Sequence, residues 1–523
     1  MSGTRGRPAG HRAAAAGTTR TPAAAVGAGP AGPARSLLGR QEPRARWRPR
    51  AWAAAAVLFA MLAVAYACSI DIRASRGAAI TGDEPFYLLT TQSLLEDGDL
   101  DLRQQYERES YRVFFDHPDG LWLQSVPAAD GRLLSPHNPG LSVLLIPGFA
   151  LAGLRGVQVE LLLLAALTFT LTYVLVARVT GEALWSWLAT LAVGLSATAF
   201  IYSTEIYPEV PAALALVLAL LALEGGGAGA APGGGPPFDT GHAPVLGPGR
   251  ALAVAGALTA MMWLGVKYAP LVVLAGLAAL RRARPAGRWV LVAAGVLSGA
   301  VYVWFHVVTF GGLTPYSVNV VYAGDSTVEL VGEHLDFATR FYRLWGLYID
   351  ERFGVGRWAP VLLLAVPGFV WLARRPGLPR LALALMGAQH LMATFVAITM
   401  MGWWFPGRTL MTVLPLYALP LARLLQESGW RGRALFGALA TWSLAITAAL
   451  ARAGHAGEIT VAVDPFELRA PVFRAAAVLF PNYTAWTPET YGLTAAWLVA
   501  GALALWRVRR RVKDQEPRSA PRN

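Results

Sequence analysis

Cysteine is almost missing from this chain, lysine is nearly so, and charge of either sign is scarce. The single cysteine, Cys68, excludes an intramolecular disulfide and any cysteine-built metal cluster. It lies in an apolar run and reads as inert packing. Only 15% of the 523 residues are charged, against about 25% in an ordinary soluble protein. That shortage excludes water as the main solvent. The long apolar runs do not alternate with polar residues, which excludes a transmembrane β-barrel. No glycine-rich phosphate loop is present, and the polar segments are too short to hold a separate nucleotide-binding domain. No short-period repeat is found either.

What the chain does have is apolar length. Hydrophobic residues make up 55% of it, and the mean hydropathy is +0.44. Runs of about 15–22 residues recur from Ala51 to Trp506, near the ~20 that a helix needs to cross hydrocarbon. The spans fall near 51–70, 140–154, 157–177, 184–202, 208–223, 251–280, 289–310, 358–373, 381–401, 408–423, 432–452 and 491–506. The expected fold is an all-α polytopic membrane protein with about 11–13 transmembrane or re-entrant helices. Amphipathic juxtamembrane helices are expected in the first outer loop.

The net charge of +13 is unevenly spread. Residues 1–50 carry ten Arg and one acid, Glu42, among Ala, Gly, Pro, Ser and Thr. Such a segment cannot bury a core and is expected to be a disordered, basic cytoplasmic tail. Arg44, Arg46, Arg48 and Arg50 abut the first apolar run and suit an anchor on anionic lipid rather than a nucleic-acid arm. No clean small-residue cleavage site precedes Asp71, so the first run reads as an uncleaved anchor. The membrane domain then occupies 51–510, and 511–523 form a second cytoplasmic tail. Residues 225–249 are Gly/Pro-rich and read as a flexible linker.

Arginine marks the inner loops: Arg281, Arg282, Arg284 and Arg288; Arg374, Arg375 and Arg380; Arg431 and Arg433; and Arg507 to Lys513. Both termini are thus expected in the cytoplasm of a multi-pass cell-membrane protein. The polar loops 71–138 and 311–357 then share the outer face. The middle admits two solutions. Either 251–280 is a hairpin and 141–154 dips in and returns, or each crosses once. The length of the first and the Pro and Gly flanking the second favour the hairpin, which puts Glu205, Glu209 and Lys267 outside.

The most informative stretch is Thr81-Gly-Asp-Glu-Pro-Phe-Tyr87, followed by Gln92 and the acidic run Glu96-Asp-Gly-Asp-Leu-Asp101. Pro85 belongs in a first helical turn, so a helix begins here and runs to about Leu95. Asp83 and Glu84 are held at its start. Two structural readings compete with a chemical one. Thr81-x-x-Glu84 fits a capping box, and Asp83 is an acceptable N-cap. Chemically, a carboxylate at the bilayer surface can act as general base toward a hydroxyl, or hold a divalent cation beside a lipid phosphate. Lys267, one of two lysines, sits inside a 30-residue apolar run, where charge is costly and marks a functional site unless the residue snorkels. Arg408 follows Trp403-Trp-Phe405, a pattern equally suited to interfacial anchoring. Glu209 also suits a helix start. His117 and His137 lack compact metal-ligand spacing. In the second outer loop Asp325, Glu333, His334, Asp336 and Asp350 read mainly as a solvated face. Tyr316, Tyr322, Phe341, Tyr342, Trp345 and Tyr348 could stack on sugar faces or lie on the membrane.

The order of a basic N-terminus, a first crossing, Gly82-Asp-Glu-Pro-x-Tyr87 and Pro136-His137-Asn-Pro139-Gly-Leu resembles the C-type membrane glycosyltransferase (GT-C) superfamily. The branch it is most similar to includes protein O-mannosyltransferases and the aminoarabinose transferase of lipid A. Those enzymes carry an acidic motif in the first outer loop and a His-Pro-Pro-like element opening the next helix. Here that element reads His137-Asn-Pro139, an altered form. Tyr202-Ser-Thr-Glu-Ile-Tyr-Pro-Glu209, Gly265-Val-Lys267-Tyr and Gly407-Arg408-Thr-Leu extend the resemblance over residues 50–425. It implies a GT-C-like architecture and transfer of a sugar from a polyprenyl-phosphate donor on the extracytoplasmic face. Asp83 would be general base or metal ligand, supported by Glu84, with Glu209 or Glu205 as a second acidic site. Lys267 and Arg408 would bind the donor phosphate, and Tyr87 and His137 would line the cavity. The acceptor stays open. A transporter or lipid flippase is the main alternative, but it predicts paired broken helices in two related halves, and no such symmetry is visible. A non-catalytic scaffold whose outer loops bind a partner is the third reading.

Overall fold

The computed structural model describes residues 49–225, 245–322 and 327–514. Most of the expected N-terminal tail, of the linker at 225–249 and of the C-terminal tail lies outside the described residues, as does Asp325. Among the described residues every regular element is helical, apart from two isolated bridges, and the molecule is an all-α polytopic membrane protein.

Among the described residues, four helices are long and apolar enough to cross a membrane: Ile146–Thr180, Pro285–Val318, Trp430–His455 and Pro488–Arg510. Several other expected spans are present but interrupted. The 184–202 run divides into Ala183–Gly194 and Ala197–Tyr202, because Ser196 caps the second helix by accepting from the Ala199 N–H. Pro360 turns 358–373 into a short 3₁₀ segment before Ala365–Arg374. The 381–401 run is helical over Leu378–Leu391, widens to a π-turn at Met392–Val396 and stops. Around Pro415 the 408–423 run becomes 3₁₀ turns before the Ala418–Glu427 helix.

The ambiguous middle of the chain resolves as a pair of reversals. Gly140–Leu144 leads into the Ile146–Thr180 helix, which breaks at Ala152 and Gly153. Gly153 takes φ +56°, and Gly148 N–H then donates to Glu160 Oε2 at 3.0 Å. In an unbroken helix those residues, twelve apart, would be about 18 Å distant. Residues 140–152 therefore fold back on the helix that follows. Gly156 permits the close approach, since a Cβ there would fall 1.9 Å from Gly148 O.

Pro248–Leu264 and Ala269–Arg282 form the second reversal, a hairpin broken at Gly265. Its open end is tied by Leu246 N–H to Arg282 O at 2.9 Å and Arg284 N–H to Leu246 O at 3.1 Å. At that end Arg250 donates to Ala222 O at 2.7 Å, near the C-terminus of the Glu209–Glu224 helix. The opposite, closed end therefore brings Lys267 to Glu209.

The two polar loops also meet. Val126 N–H donates to Val318 O and Val320 N–H to Gln124 O, both at 2.9 Å. The Glu84–Glu96 helix of the first loop buries Glu84 through Ser93 and leaves Leu95 exposed. It is latched to the re-entrant segment by Thr91 Oγ1 donating to Ser142 O and Ser142 Oγ donating to Tyr87 O.

Candidate active site

The site lies where four chain turns converge, and each turn carries one charge. Gly82 takes φ +61°, and a Cβ on it would meet the Tyr207 hydroxyl at 2.9 Å, so glycine is required before the acidic pair. Asp83 precedes the Glu84–Glu96 helix but makes no side-chain capping bond. Its Oδ2 instead accepts from Arg408 Nη2 at 2.8 Å. Arg408 follows Gly407, whose φ is +91°, and its Nε donates to Glu209 Oε1 at 3.1 Å. Lys267, at the tip of the hairpin, donates to the same oxygen at 2.7 Å. The result is an alternating row: Asp83, Arg408, Glu209, Lys267.

This row is closely packed. Glu209 opens its helix after Pro208 with only 4% of its side chain exposed. The Arg408 guanidinium lies 3.8 Å above the Tyr207 ring and 5.2 Å from that of Trp404. Lys267 is the most open member, with 38% of its side chain exposed. Burial alone would raise the Asp83 carboxyl. Arg408 above all, with His137 and Lys267, instead holds it well below the usual carboxylate range.

His137 and Tyr87 stand behind Asp83. Expected to line the cavity, they are not among the residues that line the cavity of about 410 Å³ beside the row. Their rings pack 4.8 Å apart, and His137 Nε2 hydrogen-bonds Gln124 Oε1 at 2.8 Å while lying 4.0 Å from Asp83 Oδ1. Burial lowers the His137 pKa and favours the neutral ring.

Glu84 and Glu205 sit apart from this row. Glu84 Oε2 accepts from Thr81 N–H at 2.9 Å, the backbone contact of a capping box, and Oε1 accepts from Ile206 N–H at 3.0 Å. It thereby ties the first polar loop to the Tyr202–Glu209 motif. Glu205 lines a separate small cavity with Glu84, and its Oε2 has no hydrogen-bond partner among the described residues. Burial raises both carboxyls, and each is raised further by a neighbouring acid: Glu205 by Glu84, and Glu84 by Asp83. Of the two candidates for the second acidic position, Glu209 faces the row and Glu205 does not.

One cavity is lined by the row itself, and a second is lined by close chain neighbours of its members. A polar one of about 410 Å³ is lined by Asp83, Glu209, Lys267, Tyr316, Trp404 and Arg408, among others. An apolar groove of about 980 Å³ runs past Leu94, Pro139, Val143, Leu218 and Trp263. Its wall includes Pro211 and Leu264, two and three residues from Glu209 and Lys267.

Comparison with known proteins returned no matching family model and no matching curated protein. Similar solved structures exist. ArnT from Cupriavidus metallidurans, crystallised with undecaprenyl phosphate, is 13% identical over 87% of this chain and 77% of its own, with a TM-score of 0.43. Its apo form is 14% identical over 88% and 78%, with a TM-score of 0.44. The oligosaccharyltransferase of Archaeoglobus fulgidus is 12% identical over 82% and 56%, with a TM-score of 0.37.

Among the described residues no group of three or more His, Cys, Asp or Glu side chains comes together to ligate a metal ion. The positive charge between Asp83 and Glu209 is a guanidinium. In the second polar loop, Tyr316 and His334 reach the polar cavity, whereas Tyr348 is bonded to Tyr417 and Tyr342 packs on Tyr483. Asp350, expected on a solvated face, is buried and accepts from the N–H groups of Arg352, Phe353 and Tyr483. Sequence reasoning also passed over Gln124 and Gln389. Gln389 had a signal, as an amide within an apolar run. Gln124 had none.

Proposed function

We propose that this chain is a membrane glycosyltransferase that moves a sugar from a polyprenyl-phosphate donor to an acceptor hydroxyl on the extracytoplasmic face. The observation that carries the reading is a carboxylate and two cations, Asp83, Arg408 and Lys267, on one polar cavity beside an apolar groove. A polyprenyl-phosphate sugar has the same division. Its chain needs an apolar trough, its phosphate needs cations, and its anomeric carbon needs a base nearby on the acceptor's side.

Without a ligand the row is electrically balanced, because each cation already serves a carboxylate. A donor phosphate adds negative charge and competes for the outward donors of Lys267 and Arg408. As Arg408 turns toward the phosphate, its hold on Asp83 weakens and the carboxylate becomes a stronger base. The acceptor oxygen then attacks the anomeric carbon and its proton passes to Asp83. The bond from carbon to phosphate oxygen breaks with its electron pair, polyprenyl phosphate leaves, and the configuration inverts. Arg408 and Lys267 stabilise the charge on the departing phosphate.

The test is equilibrium binding of undecaprenyl phosphate to the purified full chain in nanodiscs. Saturable binding that weakens at least tenfold in Lys267→Met supports the reading. No saturable binding, or equal binding by the variant, contradicts it.

A further inference from the structure

The polar cavity contains more than charge. Gln389 is buried in the last turn of the Leu378–Leu391 helix, 7% exposed, and its side chain lines that cavity. Its Nε2 donates to Thr409 O at 2.7 Å. Only the amide nitrogen can donate to a carbonyl, so this bond fixes the orientation of the amide and leaves Oε1 as an acceptor. Oε1 has no hydrogen-bond partner among the described residues. Glu209, 3% exposed and on the same cavity, is in the same state. Its Oε1 accepts from both Lys267 and Arg408, while its Oε2 has no partner among the described residues.

Two residues that line one cavity thus each hold a buried acceptor with no partner among the described residues, which asks for a ligand rich in donors once the cavity is filled, since a buried acceptor left unpaired is costly. A fully ionised phosphate offers none. A sugar offers several hydroxyls, and the aromatic rings of Tyr316 and Trp404 on the same walls suit the apolar faces of a pyranose or furanose. Thr409, the residue that anchors Gln389, directly follows Arg408. A group held by Gln389 therefore lies alongside the cation assigned to the donor phosphate.

We infer that Gln389 Oε1 and Glu209 Oε2 form the sugar-reading end of the site, accepting hydrogen bonds from hydroxyl or amino groups of the sugar that the lipid phosphate carries. The inference rests on the donor reading above. Gln389 is a specificity-determining residue in this account, and Glu209 serves both the cations and the sugar.

The experiment measures dissociation constants for the full chain in nanodiscs with bare undecaprenyl phosphate and with the same lipid bearing glucose, mannose, galactose or arabinose. At least one glycosylated lipid should bind more tightly than the bare one. Gln389→Leu should cut that gain about tenfold, a larger loss than it causes in affinity for the bare lipid. If Gln389→Leu does not fold, as judged by its thermal midpoint and elution, Gln389→Met replaces it. Equal affinity of the wild type for bare and glycosylated lipids overturns the sugar-reading inference and leaves the phosphate reading standing. So does a gain that survives the loss of Gln389. Failure to bind any of these lipids overturns both.

Discussion

Arg408 donates from Nη2 to Asp83 Oδ2 at 2.8 Å, joining residues 325 positions apart in the chain. Through Nε it also holds Glu209 Oε1 at 3.1 Å, so one guanidinium bridges two carboxylates from different segments. A planar fork can do this, and a point charge on a flexible stem cannot.

Arg408→Lys therefore keeps the charge but breaks the bridge. Affinity for undecaprenyl phosphate should fall at least tenfold, with only part of the thermal stability lost. Arg408→Met should cost more, about 3–5 kcal/mol, because it leaves Asp83 and Glu209 buried with fewer partners. Adding Glu209→Gln to Arg408→Met should recover some of that loss. Thermal unfolding of the two singles and the double gives the coupling directly, and strict additivity would contradict the bridge.

Glu205 makes a pH-dependent prediction. Its pKa in the folded chain is raised, first by burial and then by Glu84, so the folded state binds a proton that the unfolded state has already released above the ordinary carboxylate pKa. Stability from this group is thus present at low pH and is lost as pH rises toward the folded value. Glu205→Gln removes the titration. It should raise stability at pH 8, where the buried carboxyl is pulled toward ionisation, more than at pH 4, where both side chains are neutral. Unfolding midpoints of both proteins across that range check the sign. A larger gain at pH 4 than at pH 8 would contradict it.

The re-entrant segment depends on the contact between Gly148 and Gly156. Gly156→Ala puts a methyl group 1.9 Å from Gly148 O, and the two strands of the reversal must part. We expect a loss of about 1–3 kcal/mol in unfolding free energy. Gly437→Ala on the Trp430–His455 helix, where nothing lies within 4 Å of the added carbon, should instead stabilise slightly. Equal effects at both positions would count against the reversal.

Much of the architecture was legible because it is written in runs of one character. Long apolar segments predicted helices, and the 30-residue run around Lys267 predicted a hairpin. The interruptions were harder to see. Pro360 and Pro415 are plain in the sequence, but the π-turn after Leu391 has no comparable mark. At the site, Lys267 stood out because a charge within an apolar run is costly and must be compensated, Asp83 stood out by its place ahead of a proline-led helix, and Glu209 and Arg408 entered through the resemblance. Their pairing was not legible, since Lys267 and Arg408 reach Glu209 across 58 and 199 positions. Glu205 looked equivalent to Glu209 four residues away, and only the turn at Pro208 sends the two carboxylates to different cavities. Gln389 escaped notice because an uncharged amide draws less attention than a charge, although its burial is equally demanding.

Asp83 carries the central claim, so the most direct measurement is sugar transfer by Asp83→Asn. Membranes holding equal amounts of wild type and variant are supplied with radiolabelled polyprenyl-phosphate sugar and a cell-envelope acceptor fraction. The account predicts that the wild type consumes the donor and releases polyprenyl phosphate, whereas the variant binds the donor and transfers about 10²–10⁴-fold more slowly. Transfer at the wild-type rate by Asp83→Asn would contradict the account.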